Sequence, residues 1–187
     1  MDEAERDHLF ALAEAIGRQP RAVAEQEARA GLVRALENIS EVPALLLGHR
    51  LDVLATNRPA RALYLDFEAL PVKERNMARY VFLNEAARDL YVDWHETARE
   101  IVGMLRLYAS HHPHDPQLVQ LVNELSAADH DVFLPKHGVK RYRHPQVGEL
   151  TLGFEAFTPM GEADQTFGLY TVEPGSASQQ ALRRLVD

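Results

Sequence analysis

The sequence predicts an α+β fold in which helices pack on one face of a small antiparallel sheet. Two short apolar runs flank residues 48–50, Gly-His-Arg, as in a β-hairpin. From Val139 onward the apolar residues recur with a period of two, which is typical of strands. Helical patterns occupy the region between. Strands and helices grouped in blocks favour an α+β arrangement, and an internal cavity between sheet and helices is a natural site for a ligand.

Composition narrows the class of protein. The chain has 187 residues, 46% of them hydrophobic, which suffices for one domain with a sizeable core and an added helical segment. Its net charge of −8 disfavours direct binding to nucleic acid, which normally needs a basic patch. The acidic start, MDEAERDHLF, is not a signal peptide, and no apolar run is long enough to span a membrane. The absence of cysteine excludes disulfides and thiolate chemistry. We expect a cytoplasmic protein without a membrane partner.

The N-terminal part reads as two helices. The first covers residues 2–16 and ends at Gly17 and Pro20. The second covers roughly residues 22–40, with Leu32, Leu36 and Ile39 on one side. Its first half has a weak apolar stripe and needs a partner surface. We therefore divide the chain into residues 1–41, which are linker or dimerisation helices, and residues 42–187, which form the α+β domain.

The middle of the chain reads as a block of helices. Asn57 is a suitable N-cap for a helix over residues 61–67, and Asn84 for one over residues 85–91. Asp115 and Pro116 have the residue types that begin a further helix. Its buried face is predicted at Leu118, Leu121, Val122 and Leu125. A longer helix starts at Trp94 and ends near Ser110, and its apolar stripe consists of Trp94, Ala98, Ile101, Leu105 and Tyr108. This stripe must be buried, and we expect it to close one side of an apolar chamber.

The C-terminal part reads as a pair of strands and a final helix. Leu150, Leu152, Phe154 and Ala156 form one face of a half-buried strand. The next strand, residues 167–172, has bulky groups on both faces, so it is predicted to be central in its sheet. Ser176 is a suitable cap for the last helix.

Several segments in a fixed order resemble one family. They are LDVLATNRPARALY, ERNMARYVFLNEAARDLYVDWHETAREIVGMLR, DPQLVQLVNELS and HPQVGELTLGFEAF, and the resemblance covers about residues 43–186. They are similar to the ligand-binding domain of the MmyB-like transcription regulators, bacterial proteins with an N-terminal helix-turn-helix of the Xre type. The chain departs from the family at Thr56, where an aromatic residue is common, and in a shortened segment after Phe133.

The resemblance implies a PAS-like fold, a homodimer and a chamber for a hydrophobic small molecule such as a fatty acid. It implies that DNA is contacted only through a helix-turn-helix domain absent from this chain. Of two explanations, a fragment without that domain and a natural chain that lacks it, we favour the fragment. No cofactor is expected other than a bound fatty acid or similar lipid.

Apolar side chains are the first candidates for contact with such a ligand. Trp94, the only tryptophan, either lines the chamber or is the largest core residue at the start of its helix. The same two interpretations, pocket lining and core packing, apply to the other apolar candidates. These are Phe82, Leu105, Leu150, Leu152, Phe154 and Leu169.

Polar side chains are the candidates for the ligand's head group. Arg75 and Asn76 lead into an apolar run, and an arginine binds a carboxylate bidentately. The alternative is that Arg75 ties its helix to a neighbouring loop through an ion pair. Asn57 either caps a turn or offers its amide to the ligand. These three residues complete the predicted ligand-binding set.

Metal and catalytic sites are not predicted. His111, His112 and His114 lie in one proline-containing loop, and a solvated loop explains them better than a metal site, which needs convergent ligands. The sequence has no nucleophile elbow, zinc-protease motif or phosphate-binding loop. We therefore predict a ligand-sensing regulatory domain and no enzyme. The alternatives are a packed dimerisation module without a ligand and a small enzyme acting on a hydrophobic substrate.

Overall fold

A computed structural model describes residues 26–112, 115–125, 137–161 and 165–186. The predicted helix over residues 2–16 lies outside them. The described strands form one antiparallel sheet in the order β2-β1-β5-β4-β3. They are β1 (Ala44–Leu47), β2 (Val53–Thr56), β3 (His137–His144), β4 (Gly148–Phe157) and β5 (Thr166–Thr171). The predicted α+β fold is confirmed, and the arrangement is consistent with a PAS-like domain.

Seven α-helices and two short 3-10 helices lie within the described residues. The α-helices are α1 (Ala30–Glu37), α2 (Arg58–Leu63), α3 (Met77–Leu83), α4 (Glu85–Leu90), α5 (Trp94–His111), α6 (Pro116–Leu125) and α7 (Ala177–Val186). The 3-10 helices are Phe67–Ala69 and Val72–Glu74. None of these helices combines the length and the apolar content that crossing a membrane requires.

Strand β5 lies in the middle of the sheet, between β1 and β4, as its two bulky faces predicted. Tyr170 points to the main core, whereas Phe167 and Leu169 pack on the opposite face. Gly168 permits a close approach on the main face. A Cβ there would lie 3.1 Å from Cε2 of Phe154 and 3.3 Å from Cδ1 of Leu45. The small residue therefore lets two large side chains meet over the central strand.

Helix α5 buries the predicted stripe. Ala98, Ile101 and Leu105 are buried in the main core, and α5 packs on α3 and α6. Polar contacts tie it to the sheet as well. Glu100 forms an ion pair with Lys140 of β3, and Tyr108 shares a hydrogen bond of 3.1 Å with Thr166 at the start of β5. The helix is thus held across the main face of the sheet.

Helix α1 covers part of the opposite face. Leu36 is buried there against Ala44, Leu46 and Ala55 of the β1–β2 hairpin. The helix starts at Ala30 and not near residue 22, since residues 26–29 are not helical. Residues 26–29 carry no large apolar side chain, so they have no apolar stripe to bury.

One further helix boundary and one predicted buried residue differ from the predictions. The helix expected over residues 61–67 is α2, which begins at Arg58 because Asn57 is its N-cap and accepts a hydrogen bond from Ala60 N–H. In α6, Leu118, Leu121 and Leu125 are buried as predicted, whereas Val122 is 37% exposed. Val122 therefore lies at the edge of the buried stripe.

Candidate functional site

Five of the six tyrosines of the chain meet in the main core. Tyr64 is the centre of this tyrosine cluster, with its hydroxyl 3.0 Å from that of Tyr142 and 2.5 Å from that of Tyr170. The rings of Tyr80 and Tyr91 lie 5.8 and 6.3 Å from that of Tyr64. A phenol both donates and accepts, so such groups satisfy one another in a core without introducing charge.

Burial keeps the hydroxyls of Tyr64, Tyr80, Tyr91 and Tyr142 uncharged. Burial, the largest cause, raises the pKa of Tyr64, Tyr91 and Tyr142 well above its ordinary value, and neighbouring tyrosines add to the effect. Burial alone raises the pKa of Tyr80. No sequence pattern predicted this cluster, because its members come from five different elements or loops that only the fold brings together.

A cleft of about 570 Å³ opens at the surface beside this cluster. It lies between residues 65–74 and the helices α3 and α4. Its apolar wall consists of Leu65, Phe67, Leu70, Tyr80 and Leu83. Its volume is in the range of small-molecule sites.

The cleft reaches the core through aromatic rings. Phe67 and Tyr80 line the cleft and also belong to the main core. The Tyr80 ring contacts Phe67 at 5.7 Å and Tyr64 at 5.8 Å between centroids, both edge to face. A molecule in the cleft would thus contact side chains that also pack within the domain.

Two of the four polar residues that line the cleft are acidic. It consists of Glu74, Arg79, Asn84 and Glu85. Arg79 forms an ion pair of 2.6 Å with Glu124 of α6. Within the described residues, neither Glu74 nor Glu85 has an ion-pair partner. Sequence reasoning missed these residues, because nothing in the pattern distinguishes them from other charged residues on helix surfaces.

The predicted residues Phe82 and Trp94 pack against each other. Their rings are 5.9 Å apart and nearly perpendicular, and the Trp94 indole N–H donates to the carbonyl of Val81 at 2.9 Å. The guanidinium of Arg88 lies 4.8 Å above the indole. Neither ring is among the side chains that line the cleft. Trp94 joins α5 to α3 and is half-buried.

The remaining apolar candidates are divided between the two faces of the sheet. Leu105, Leu150 and Leu152 are buried in the main core, and Phe154 packs on Tyr170 with ring centroids 5.0 Å apart. Leu169 lies on the opposite face with the side chains around α1. It therefore lies on the other side of the sheet from the other apolar candidates.

Arg75 is hydrogen-bonded to the segment that forms one wall of the cleft. Its side chain donates to the carbonyls of Leu70 at 2.9 Å and of Glu68 at 2.8 Å. These are bonds to backbone, and not the ion pair considered as an alternative. By holding residues 68–70, Arg75 positions the segment that supplies Leu70 to the cleft wall.

The side-chain amides of Asn57 and Asn76 already form hydrogen bonds within the protein. The Asn57 amide accepts from Ala44 and Ala60 N–H, at 3.0 and 2.9 Å, and donates to two backbone carbonyls. Asn76 caps α3 and donates to the Arg50 carbonyl at 2.8 Å and to Asp52 at 3.0 Å. Both are buried and join chain segments, as the capping interpretation of Asn57 anticipates.

A second buried polar group lies at the β1–β2 turn. His49 Nε2 is 3.2 Å from Oδ2 of Asp115, the N-cap of α6, and Arg50 lies 3.4 Å from the same oxygen. The His112 ring is 4.9 Å from that of His49, so His112 packs against His49 and is only partly exposed. The side chain of His111 and the whole of His114 lie outside the described part of the structure. Among the described residues, no group of three or more potential ligands could hold a metal ion.

Burial and hydrogen bonding set the protonation of this pair. Burial, the largest cause, lowers the pKa of His49, although the hydrogen bond to Asp115 opposes it. For Asp115, burial acts to raise the pKa, but bonds from His49 and from the N–H groups of Gln117 and Leu118 lower it overall. The pair is thus a neutral imidazole that donates from Nε2 to a carboxylate.

Comparison with known proteins identifies the family. A family model described as the MmyB-like transcription regulator ligand binding domain matches residues 28–185. A search of curated proteins gave no match. The matched family is a regulator ligand-binding domain and not a family of enzymes. The match covers nearly all of the described structure, and the chain therefore belongs to the family of MmyB-like transcription regulator ligand-binding domains.

Proposed function

We propose that this domain binds a hydrophobic small molecule in the cleft beside the tyrosine cluster and thereby regulates a cytoplasmic bacterial transcription factor. The family match supports a small-molecule ligand. One observation carries the choice of site: Phe67 and Tyr80 line the cleft and pack in the core. A ligand there would replace water against apolar side chains and contact the packed interior directly.

An alkyl chain supplies enough binding free energy. Each buried CH₂ is worth about 0.8 kcal/mol, so a chain of about ten carbons supplies roughly 8 kcal/mol before the cost of association. A fatty acid, which the resemblance suggests, has such a chain. Its carboxylate would lie near the carboxylates of Glu74 and Glu85 and would be repelled by them. This repulsion concerns the polar end of the ligand and does not affect the binding of its alkyl chain.

A hydrogen-bonded path links the cleft to the N-terminal part of the chain. Asn76, the N-cap of the cleft-lining helix α3, is bonded to Arg50 and Asp52 in the β1–β2 hairpin. The neighbouring His49 N–H donates to the side chain of Gln26 at 2.8 Å. We propose that a ligand shifts the population of two packings of α3 and that this hairpin transmits the shift toward residue 26.

Regulation would act through DNA-binding domains outside this chain. A homodimer of the domain would present two helix-turn-helix domains at a spacing that matches two DNA half-sites. A ligand that alters the packing of one face would alter that spacing or its stability. Native mass spectrometry of the purified chain reports both the oligomeric state and any ligand that co-purifies.

The test of the proposal is binding to the cleft itself. Alcohols of increasing chain length should raise the melting temperature of the domain progressively. Leu83 lines the cleft and is 52% exposed, so Leu83→Ala should fold normally and weaken binding about fivefold, since it removes about 1 kcal/mol of apolar contact. Val119→Ala on α6 is the matched control, because Val119 is 51% exposed and lies outside the cleft lining.

Two outcomes would contradict the proposal. If no amphiphile shifts the melting temperature, the domain is a packed dimerisation module without a ligand. If Leu83→Ala and Val119→Ala have equal effects, the ligand binds elsewhere in the domain.

A further inference from the structure

We propose that the cleft selects an amphipathic cation, a molecule with an alkyl or aromatic body and an amine or ammonium group, over a carboxylate. This inference rests on the proposed function, because it concerns the polar end of a ligand in the same cleft. It follows from the charges that line the cleft and from the partners that these charges already have.

Two carboxylates in the lining are available to a cation. Glu74 ends the second 3-10 helix, and Glu85 begins α4. Both are exposed, and neither has an ion-pair partner within the described residues. An ammonium group in the cleft would gain attraction from both without displacing a protein group.

The arginines near the cleft are already engaged. Arg79 is held by Glu124 at 2.6 Å, and both side chains are partly buried. Arg75 donates to the carbonyls of Leu70 and Glu68. A ligand carboxylate would have to displace Glu124 from Arg79 and would still face Glu74 and Glu85. Binding of an anion in the cleft is therefore disfavoured for two reasons: repulsion by Glu74 and Glu85, and the loss of the Arg79–Glu124 ion pair.

The apolar wall completes a site for an amphipathic cation. Leu65, Leu70 and Leu83 provide aliphatic surface, whereas Phe67 and Tyr80 provide aromatic surface. Alkylammonium groups are weakly hydrated and bind readily beside aromatic rings. The carboxylates lie in the same lining as this wall, so that head and tail of one molecule are accommodated together.

A head-group series tests the proposal directly. Decyltrimethylammonium, decanol and decanoate have the same chain and differ in charge. Calorimetric titration near neutral pH should give the tightest binding for the cation, weaker binding for decanol and the weakest for decanoate. Each surface ion pair is worth up to about fivefold in affinity. The preference for the cation should shrink at salt concentrations of roughly 0.5 M, because exposed charges are screened.

Substitutions assign the preference to named carboxylates. Glu74→Gln and Glu85→Gln should each weaken binding of decyltrimethylammonium about threefold and leave decanol binding unchanged. Glu173→Gln is the matched control, since Glu173 is exposed and lies outside the cleft lining. Glu124→Gln releases Arg79 and should improve decanoate binding by a similar factor.

The outcomes separate this inference from the proposed function. Equal binding of the three compounds, tighter binding of decanoate, or no effect of either glutamate variant on cation binding would overturn the inference and leave a hydrophobic ligand in place. If none of the three compounds binds, the proposed function fails and the inference fails with it.

Discussion

At the scale of single residues, Asn57 shows how one side chain holds three segments together. Its amide joins the loop before β1, the first residue of β1 and the start of α2. It is 1% exposed, so water cannot replace these bonds. Each buried polar group left without a partner costs about 1–3 kcal/mol, and the residue acts as an N-cap as well.

Replacement of Asn57 should therefore be costly. Asn57→Ala is expected to lower the free energy of unfolding by about 3 kcal/mol, measured by urea denaturation. Asn84→Ala is the comparison, because Asn84 caps α4 through one bond at the surface, and its loss should cost about 1 kcal/mol. Similar losses for the two variants would show that the long-range bonds of Asn57 contribute little.

His49 makes stability depend on pH. Burial lowers its pKa in the folded protein, so below about pH 6.5 the unfolded chain binds a proton at this position that the folded chain does not. The free energy of unfolding should therefore fall as the pH falls from about 6.5 toward the lower folded pKa. Near neutral pH the imidazole is neutral in both states, and the free energy of unfolding is not reduced by this effect. The Nδ1 atom is buried without a hydrogen-bond partner in the described structure, which disfavours a proton there.

The slope against pH measures this effect. His49→Gln should flatten the decline of unfolding free energy between about pH 6.5 and 5, relative to the unsubstituted protein, in urea denaturation at several pH values. The variant can be less stable overall, so the comparison uses the slope and not the absolute value. Parallel slopes would mean that His49 does not carry the pH dependence.

At the scale of elements, α1 illustrates that a helix with a weak stripe depends on its partner surface. Leu36 is 1% exposed on the β1–β2 hairpin, whereas Leu32 of the same helix is half-buried. Residues 1–41 were predicted as linker or dimerisation helices, and this division remains a proposal. Within the described part, α1 packs directly on the sheet and so contributes to the same folded unit.

The energetic weight of α1 can be measured. Leu36→Ala should lower the free energy of unfolding by about 3 kcal/mol, as for other fully buried leucines, whereas Leu32→Ala should cost about 1 kcal/mol. Urea denaturation with a single transition would show that α1 unfolds together with the sheet. A loss below about 1 kcal/mol for Leu36→Ala would instead mark α1 as a loosely attached linker.

At the scale of the whole molecule, the sheet order decides what can form a site. Because β5 is inserted between β1 and β4, Phe154, Tyr170 and Leu45 share the main face. The same register sends Leu169 to the other face. A shift of one residue would exchange the two sets, so the distribution of candidates depends on pairings across more than 100 residues of chain.

The sequence by itself predicted many of the elements and several of their ends, although it did not predict β3 as a separate strand. Periodicity identified the stripe of α5 and the central position of β5, and residue types identified Asn57, Asn84 and Ser176 as helix caps. Such features follow from the sequence because they arise from neighbours within a few residues or from one face of one element.

Only the tertiary structure decided which side chains meet. The tyrosine cluster and the His49–Asp115 pair join residues that are far apart in sequence, whereas the lining of the cleft comes from residues 65–85 alone. Arg75 and Asn76 donate hydrogen bonds to the protein's own chain, and their partners depend on which carbonyls and carboxylates lie nearby. Long-range contacts of this kind have no local signature, because hydrogen bonds and charges are assigned by distance after the elements have packed.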